Sequence, residues 1–263
     1  MIRPLLIVAV CALVASVVCF TIAGFFGGFE FRQWRDAFGD DHEFRGPPIV
    51  GDGPTVTRQL AWDGDDELAI SAPVEVDYTQ GPAAGVTVTG PQAAVDQLVV
   101  SDGRVRFRRP VRLAEPMRIA ITAPGVREFN LHGAQVLKIE GYDQDRLEVT
   151  VAGSGSVEAS GRARRVELRI AGSGDANLGG VASEEAEVSI AGSGRATVSP
   201  TRRIEANIAG SGDVVLTTSP PDVETNVIGS GRIVRGGEAA PVPPAPPATP
   251  KLPTRLREGE TAV

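Results

Sequence analysis

Thiols are nearly absent. The two cysteines, Cys11 and Cys19, both lie in an apolar run near the amino terminus, so the rest of the chain has no disulfide, thiolate metal site or cysteine nucleophile. Histidine is as scarce: His42 and His132 are the only two, which argues against histidine-rich metal sites and a Ser-His-Asp arrangement, and both are read as solvated. Aromatic residues make up 5% of the chain, and seven of the nine phenylalanines fall within the first 44 residues. No concentrated basic block exists either. The 26 Lys and Arg are dispersed among 33 Asp and Glu, for a net charge of -7, which sets nucleic acid aside as a partner.

What the chain does have begins with LLIVAVCALVASVVCFTIAGFF, residues 5–26, 22 residues without a charge. As a helix this run rises about 33 Å, enough to cross a bilayer. A cleavable signal has a shorter apolar core of roughly 7–15 residues and a small-x-small exit, and Thr21-Ile22-Ala23 fits that exit poorly. The expectation is therefore an uncleaved signal anchor over residues 1–28, with secretion after cleavage as the alternative. Phe31, Trp34 and Phe38 follow helical spacing beyond it, which suits a stretch 29–44 lying on the membrane surface within a juxtamembrane linker, 29–59. The short amino-terminal tail favours an N-inside orientation with the domain outside. At the other end, residues 237–263 are rich in proline and are expected to be a disordered tail.

Between these ends lies a repeat. VAGSG at 151–155, IAGSG at 170–174, IAGSG at 190–194, IAGSG at 208–212 and VIGSG at 227–231 start 19, 20, 18 and 19 residues apart, and LHGAQ at 131–135 is a degenerate copy one period upstream. One copy alone, IAGSGDANL, looks like a phosphate-binding loop. Such a loop needs a helix after it to face the anion, whereas alternating strand residues follow here and no lysine completes the motif.

Each copy is preceded by apolar residues at i, i+2 and i+4: LEVTV at 147–151, VELRI at 166–170, AEVSI at 186–190, IEANI at 204–208 and VETNV at 223–227. A second short strand follows each corner, as in Val157-Glu158-Ala159 and Ala176-Asn177-Leu178. About 19 residues at roughly 3.3 Å each trace a contour near 60 Å, one turn of a three-sided coil. The fold expected over 60–236 is an all-β parallel solenoid with 19-residue rungs and a narrow, aromatic-poor core. The glycines Gly153, Gly155, Gly172, Gly174, Gly192, Gly194, Gly210, Gly212, Gly229 and Gly231 are then structural corners. Residues 60–123 alternate without a fixed copy and are expected to form irregular first coils and a cap.

Stacking turns repeated positions into ladders. Glu128, Glu148, Glu167, Glu187, Glu205 and Glu224 form one outward column, and Asn130, Thr150, Arg169, Ser189, Asn207 and Asn226 form the next, whose side chains are expected to satisfy one another. After the corner, Ser156, Asp175, Arg195, Asp213 and Arg232 alternate in sign over their last four members, which helps fix register. The sharp reading of the glutamate column is a surface that gathers cations such as Ca²⁺ or meets a basic partner. The simpler reading, a solvated face neutralised by Arg164, Arg165, Arg202 and Arg203, is preferred, and no cofactor is expected.

SAPVEVDYTQGPAAGVTVTGPQAAVDQLVVSDGRVRF followed by tandem GSGD and GSGR units resembles the DUF2807 family, the auto-transporter adhesin head GIN domain, over roughly residues 60–235. The resemblance implies a right-handed β-helix of an exported bacterial protein and no catalytic residues. The function expected is a non-catalytic envelope protein, anchored in the inner membrane through residues 5–26, whose periplasmic surface binds an envelope protein or polysaccharide in adhesion or scaffolding. The alternative is a carbohydrate-active enzyme that uses the glutamates as acid and base. Self-association through an exposed end rung is a third outcome the repeat allows.

Overall fold

The structure is a computed structural model that describes residues 48–62, 66–113 and 117–235. The expected anchor, the surface stretch 29–44, His42 and the tail 237–263 lie outside the described residues. Among the described residues no helix is long and apolar enough to cross a membrane.

The domain's strands begin before the expected boundary at 60. Strands β1 (Ile49–Gly51) and β2 (Thr55–Leu60) precede β3 (Glu67–Ile70), β4 (Val74–Gln80) and β5 (Gly85–Pro91). A single turn of helix, α1 (Gln92–Val95), tucks Ala94 and Val95 into the core. Then come β6 (Leu98–Ser101), β7 (Arg104–Phe107), β8 (Val111–Leu113), β9 (Met117–Ala123) and β10 (Glu128–Gly133). The repeat follows as β11 (Val136–Gly153), β12 (Ser156–Gly172), β13 (Asp175–Gly192), β14 (Arg195–Gly210), β15 (Asp213–Leu216), β16 (Asp222–Gly229) and β17 (Arg232–Arg235).

From β10 onward each rung lies parallel on the one before it, with Glu on Glu, Gly on Gly and apolar on apolar. This is the β-solenoid the repeat predicts. The segments that join one rung's second strand to the next rung are paired as well: β12 and β13 run as strand from one GSG to the next, and register shifts between Glu158 and Ser160 and between Leu178 and Ala182 absorb the unequal rung lengths.

The opening coils are stacked out of chain order. β3 and β4 form a full rung, which lies between β7 and β9 on one side and β10 and β11 on the other. The chain lays down the second rung, then the first, then crosses to the third. Antiparallel strands close this end: β5 pairs with β9 and β2 with β5, while β6 pairs with β7. An open rung would expose both core and unpaired backbone; this cover pairs the rung's own edge and leaves β2 and β6 outermost among the described residues.

Period-two alternation puts the apolar columns inside. One runs Leu68, Phe129, Val149, Leu168, Val188 and Ala206, and the next Ile70, Leu131, Val151, Ile170, Ile190 and Ile208, all fully or nearly fully buried. The expectation of a core poor in aromatics fails at the early rungs. Tyr78, Phe129 and Tyr142 are the three bulkiest fully buried side chains and meet edge to face, with ring centroids 5.1 Å and 6.3 Å apart. Their hydroxyls donate to backbone carbonyls, Tyr78 to Ala123 at 2.9 Å and Tyr142 to Arg146 at 2.5 Å. Burial pushes the Tyr78 phenol up to about 12, so it stays a neutral donor.

The corner depends on the first glycine of each GSG. Gly153, Gly172, Gly192, Gly210 and Gly229 have φ between 123° and 131°, a region side chains disfavour. A Cβ on any of them would run into the carbonyl oxygen of the glycine one rung below. That carbonyl accepts the backbone N–H of the serine of the rung above at 2.8–2.9 Å, so the ladder turns the corner unbroken. The serines contribute their N–H; their side chains face solvent. Gly192→Ala should therefore destabilise the domain by roughly 2–4 kcal/mol and Ser193→Ala by less than about 0.5 kcal/mol, read by thermal unfolding followed by circular dichroism.

Candidate functional site

The strand ladder places all six predicted glutamates in one column and adds a seventh. Glu67 of β3 is opposite Glu128, which continues through Glu148, Glu167, Glu187, Glu205 and Glu224. Glu67-Leu-Ala-Ile matches the Glu-apolar-x-apolar pattern of the later rungs, but the corner after it, Ser71-Ala72-Pro73-Val74, has no glycine. A search anchored on GSG therefore passes it by.

Seven carboxylates at a strand spacing of about 4.8 Å need partners. Arg146 reaches Glu148 at 2.8 Å and Glu167 at 2.6 Å. Arg169 reaches Glu148 at 2.5 Å and also binds Glu167, closing a ring of two guanidinium and two carboxylate groups. Glu167 is the most enclosed of the seven, 7% exposed. At the start of the column, the Asn130 amide donates to Glu67 at 3.0 Å and to Glu128 at 2.8 Å. Toward the far end, Asn207 donates to Glu205 at 3.4 Å, and Arg203 holds Glu224 at 2.7 Å and Asp222 at 2.8 Å.

This departs from the sequence reading in two respects. Of the four arginines expected to neutralise the column only Arg203 bonds a member directly; Arg165 and Arg202 each hold Glu185 at 2.7 Å, Arg165 offsets Glu187 through space, and Arg164 adds to the charges that keep the Glu185 carboxyl low. The asparagines bind neighbouring glutamates instead of one another. In the post-corner column, Arg232 reaches Asp213 at 3.4 Å, and Arg118 reaches Glu75 at 3.2 Å in an extension the repeat did not reveal.

Glu187 stands apart. It is exposed and has no direct hydrogen bond or ion pair among the described residues, and burial of its carboxyl by neighbours together with the charges of Glu167 and Glu205 raises its pKa. Glu128 is raised as well, first by burial and then by Glu67 and Glu148, against the Asn130 hydrogen bond. Among the described residues no group of three or more His, Cys, Asp or Glu side chains is placed to hold a metal ion, so the Ca²⁺ reading lacks a ligand set. A shallow cavity of about 400 Å³ is lined by Gln80, Gly81, Pro82, Pro124, Gly141 and Asp143, none of them column members. His132, expected to be solvated, is half-buried at the weak corner with its Nδ1 unpartnered, and burial lowers its pKa.

The class this arrangement defines is a parallel β-solenoid with an outward, in-register carboxylate ladder. A family model described as "Putative auto-transporter adhesin, head GIN domain" matches residues 66–220, and the chain belongs to this family, DUF2807. The fold is similar to the crystal structure of a "putative adhesin" from Bacteroides fragilis NCTC 9343, 22% identical, covering 71% of this chain and 99% of that one with a TM-score of 0.60. A "Putative lipid binding protein" from Parabacteroides distasonis ATCC 8503 is also 22% identical, covering 72% and 99% with a TM-score of 0.49. No curated protein matches the chain.

Two measurements test the site's electrostatics. A carboxyl whose folded-state pKa is raised gains stability for the fold as pH falls through that value and costs stability above it. Glu187→Gln should therefore stabilise the domain at pH 7, by no more than about 1 kcal/mol for so solvent-screened a group, and the gain should vanish as pH falls toward 4.5 in thermal melts. Arg169→Met leaves Glu148 and Glu167 with Arg146 alone, and should destabilise the domain by about 1–3 kcal/mol in denaturant titration.

Proposed function

We propose that the protein is a non-catalytic, adhesin-like binding protein of the bacterial envelope. In this reading residues 5–26 anchor it in the inner membrane and the solenoid stands in the periplasm as an adhesive or scaffolding surface. The coil is taken as right-handed, the hand that parallel crossover connections favour. Family membership supports the adhesin-like character.

The observation that carries the reading is the open stretch of the glutamate column. Arginines occupy Glu148, Glu167 and Glu224, whereas Glu187 has no direct partner and Glu205 has one long amide contact. A face with adjacent carboxylates that no arginine among the described residues bonds directly suits a partner that presents regularly spaced cationic groups, either a basic protein segment or an amine-bearing polysaccharide. It does not suit glycoside chemistry, which needs two carboxyl groups on either side of an enclosed bond.

Full-length protein in mild detergent should bind an oligolysine peptide in a salt-sensitive way, measured by thermophoresis. The Glu187→Gln, Glu205→Gln double variant should weaken that binding about tenfold, the worth of two exposed charge contacts. Unchanged affinity would remove the proposal. Cleavage of a screened polysaccharide that disappears in Glu187→Ala would replace it with the enzymatic reading.

A further inference from the structure

Acidic and basic residues are intermixed over most of the chain, with one exception at the first end of the stack. Residues 98–113, LVVSDGRVRFRRPVRL, contain five arginines and a single carboxylate, Asp102, which sits in the turn between β6 and β7. Strand alternation turns Val105 into the core and sets Arg104, Arg106 and Arg108 in one outward row, all exposed and about 7 Å apart. Their neighbours across the sheet are neutral: Ser101, Val99 and Gln97 toward β6, and Ala69 and Ser71 toward β3. Farther up the stack outward arginines hold carboxylates, as Arg146, Arg169 and Arg203 do. The three in this row form no ion pair among the described residues; Glu67 is taken by Asn130 and Asp96 by Arg58.

The same segment receives the amino-terminal side of the chain. Ile49 donates its N–H to the Pro110 carbonyl at 2.9 Å, and β1 lies parallel to β8 with Val50 opposite Arg112. Both side chains are exposed, and Val50, at 61%, is the most exposed large apolar side chain among the described residues. We infer that this end of the domain is a membrane-facing surface, on which Arg104, Arg106, Arg108 and Arg112 meet the phosphates of anionic lipid headgroups while Val50 enters the interfacial layer. The inference rests on the reading of residues 5–26 as an anchor, because the tether selects a lipid surface over any other polyanion: it leads into the domain at β1 and keeps the row within reach of one bilayer at high effective concentration. A basic residue close to an anionic bilayer gains about fivefold in local binding, so the arginines act together as a salt-sensitive clasp. Glu187 and Glu205 lie on β13 and β14, five and six strands farther along the stack than β7. An anionic surface therefore attracts one end and repels the other, which turns the open carboxylates away from the bilayer.

The test uses the full-length chain, with Cys11 and Cys19 changed to Ser, reconstituted into vesicles of phosphatidylcholine alone or with one third phosphatidylglycerol. A donor dye on Ser101→Cys should transfer energy to headgroup-labelled lipid at least twice as efficiently in the anionic vesicles. The same dye on Ser230→Cys, about eight strand spacings or roughly 38 Å along the stack, should show no such gain. The gain should disappear in about 0.5 M salt and in the triple variant Arg104→Gln, Arg106→Gln, Arg108→Gln, whose thermal melt should match the parent's, and should persist with Lys substituted at the same three positions. Transfer that ignores lipid charge, or that the Gln triple variant retains, overturns the inference. So does capture of dextran sulfate that the triple variant loses while lipid charge changes nothing, since the row then serves a soluble polyanion. Flotation with neutral vesicles reports the anchor separately. If the chain does not float with them, the anchor reading falls; flotation with anionic vesicles that the Gln triple variant loses then supports the arginine surface, and its absence overturns it.

Discussion

The hydrogen bond from each corner serine N–H to the glycine carbonyl one rung below is the interaction on which the rest of this structure depends. A coil must change direction without leaving peptide groups unpaired, since a buried orphan costs about as much as a lost hydrogen bond. Here the ladder continues through the bend, which is open only to a residue with positive φ and no Cβ at that spot. The requirement reproduces itself: the glycine of each rung makes room for the rung below and offers its own carbonyl to the rung above. Five GSG corners at nearly constant spacing follow from that reciprocity. At the degenerate copy LHGAQ, Gln135 stands in the place of the second glycine and its side-chain amide donates to the His132 carbonyl at 2.5 Å.

Parallel stacking in register places like on like. For apolar columns this is favourable, because each rung buries the same face against its neighbour. For a repeated glutamate it is unfavourable, and the structure answers the repulsion locally and differently at each level. Asn130 bridges two carboxylates, Arg146 and Arg169 clamp two more, and Arg203 holds the last. These partners come from positions where the repeat varies, so the irregular residues serve to neutralise the regular one. Glu187 has Arg169 and Arg165 only through space, and burial with the charges of Glu167 and Glu205 outweighs them and raises its pKa. A fold of this kind forms broad faces, on which repeated side chains line up in columns.

Much of this was legible in sequence because the repeat is a physical period. Once GSG is aligned, the strand register, the buried positions and six of the seven column members follow without coordinates. Glu67 was hidden because its corner, Ser71 to Val74, turns without glycine, and because β3 and β4 enter the stack before the chain has built the rung beneath them. No local pattern reports stacking out of chain order. The arginine assignments went astray for a related reason. Proximity in sequence favoured Arg164 and Arg165, whereas a guanidinium reaches across rungs, so Arg146 serves Glu167 twenty-one residues away. Side-chain reach is set by the coil and not by the repeat unit.

The aromatic cluster links the irregular opening to the regular stack. Tyr78 belongs to the rung that is inserted, Phe129 to the first rung after the crossing, and Tyr142 to the same coil's far side. Large rings fill the core at these early rungs, and the tyrosine hydroxyls donate to backbone carbonyls. Beyond them the inward columns hold no aromatic side chain and are built from Val, Leu, Ile and Ala. The opening coils share the register of the later rungs, and antiparallel strands cover them, with β2 and β6 outermost among the described residues. Each later rung needs only one new surface to pair with and leaves one behind, which is why the physical character of the whole stack comes to rest on its final edge.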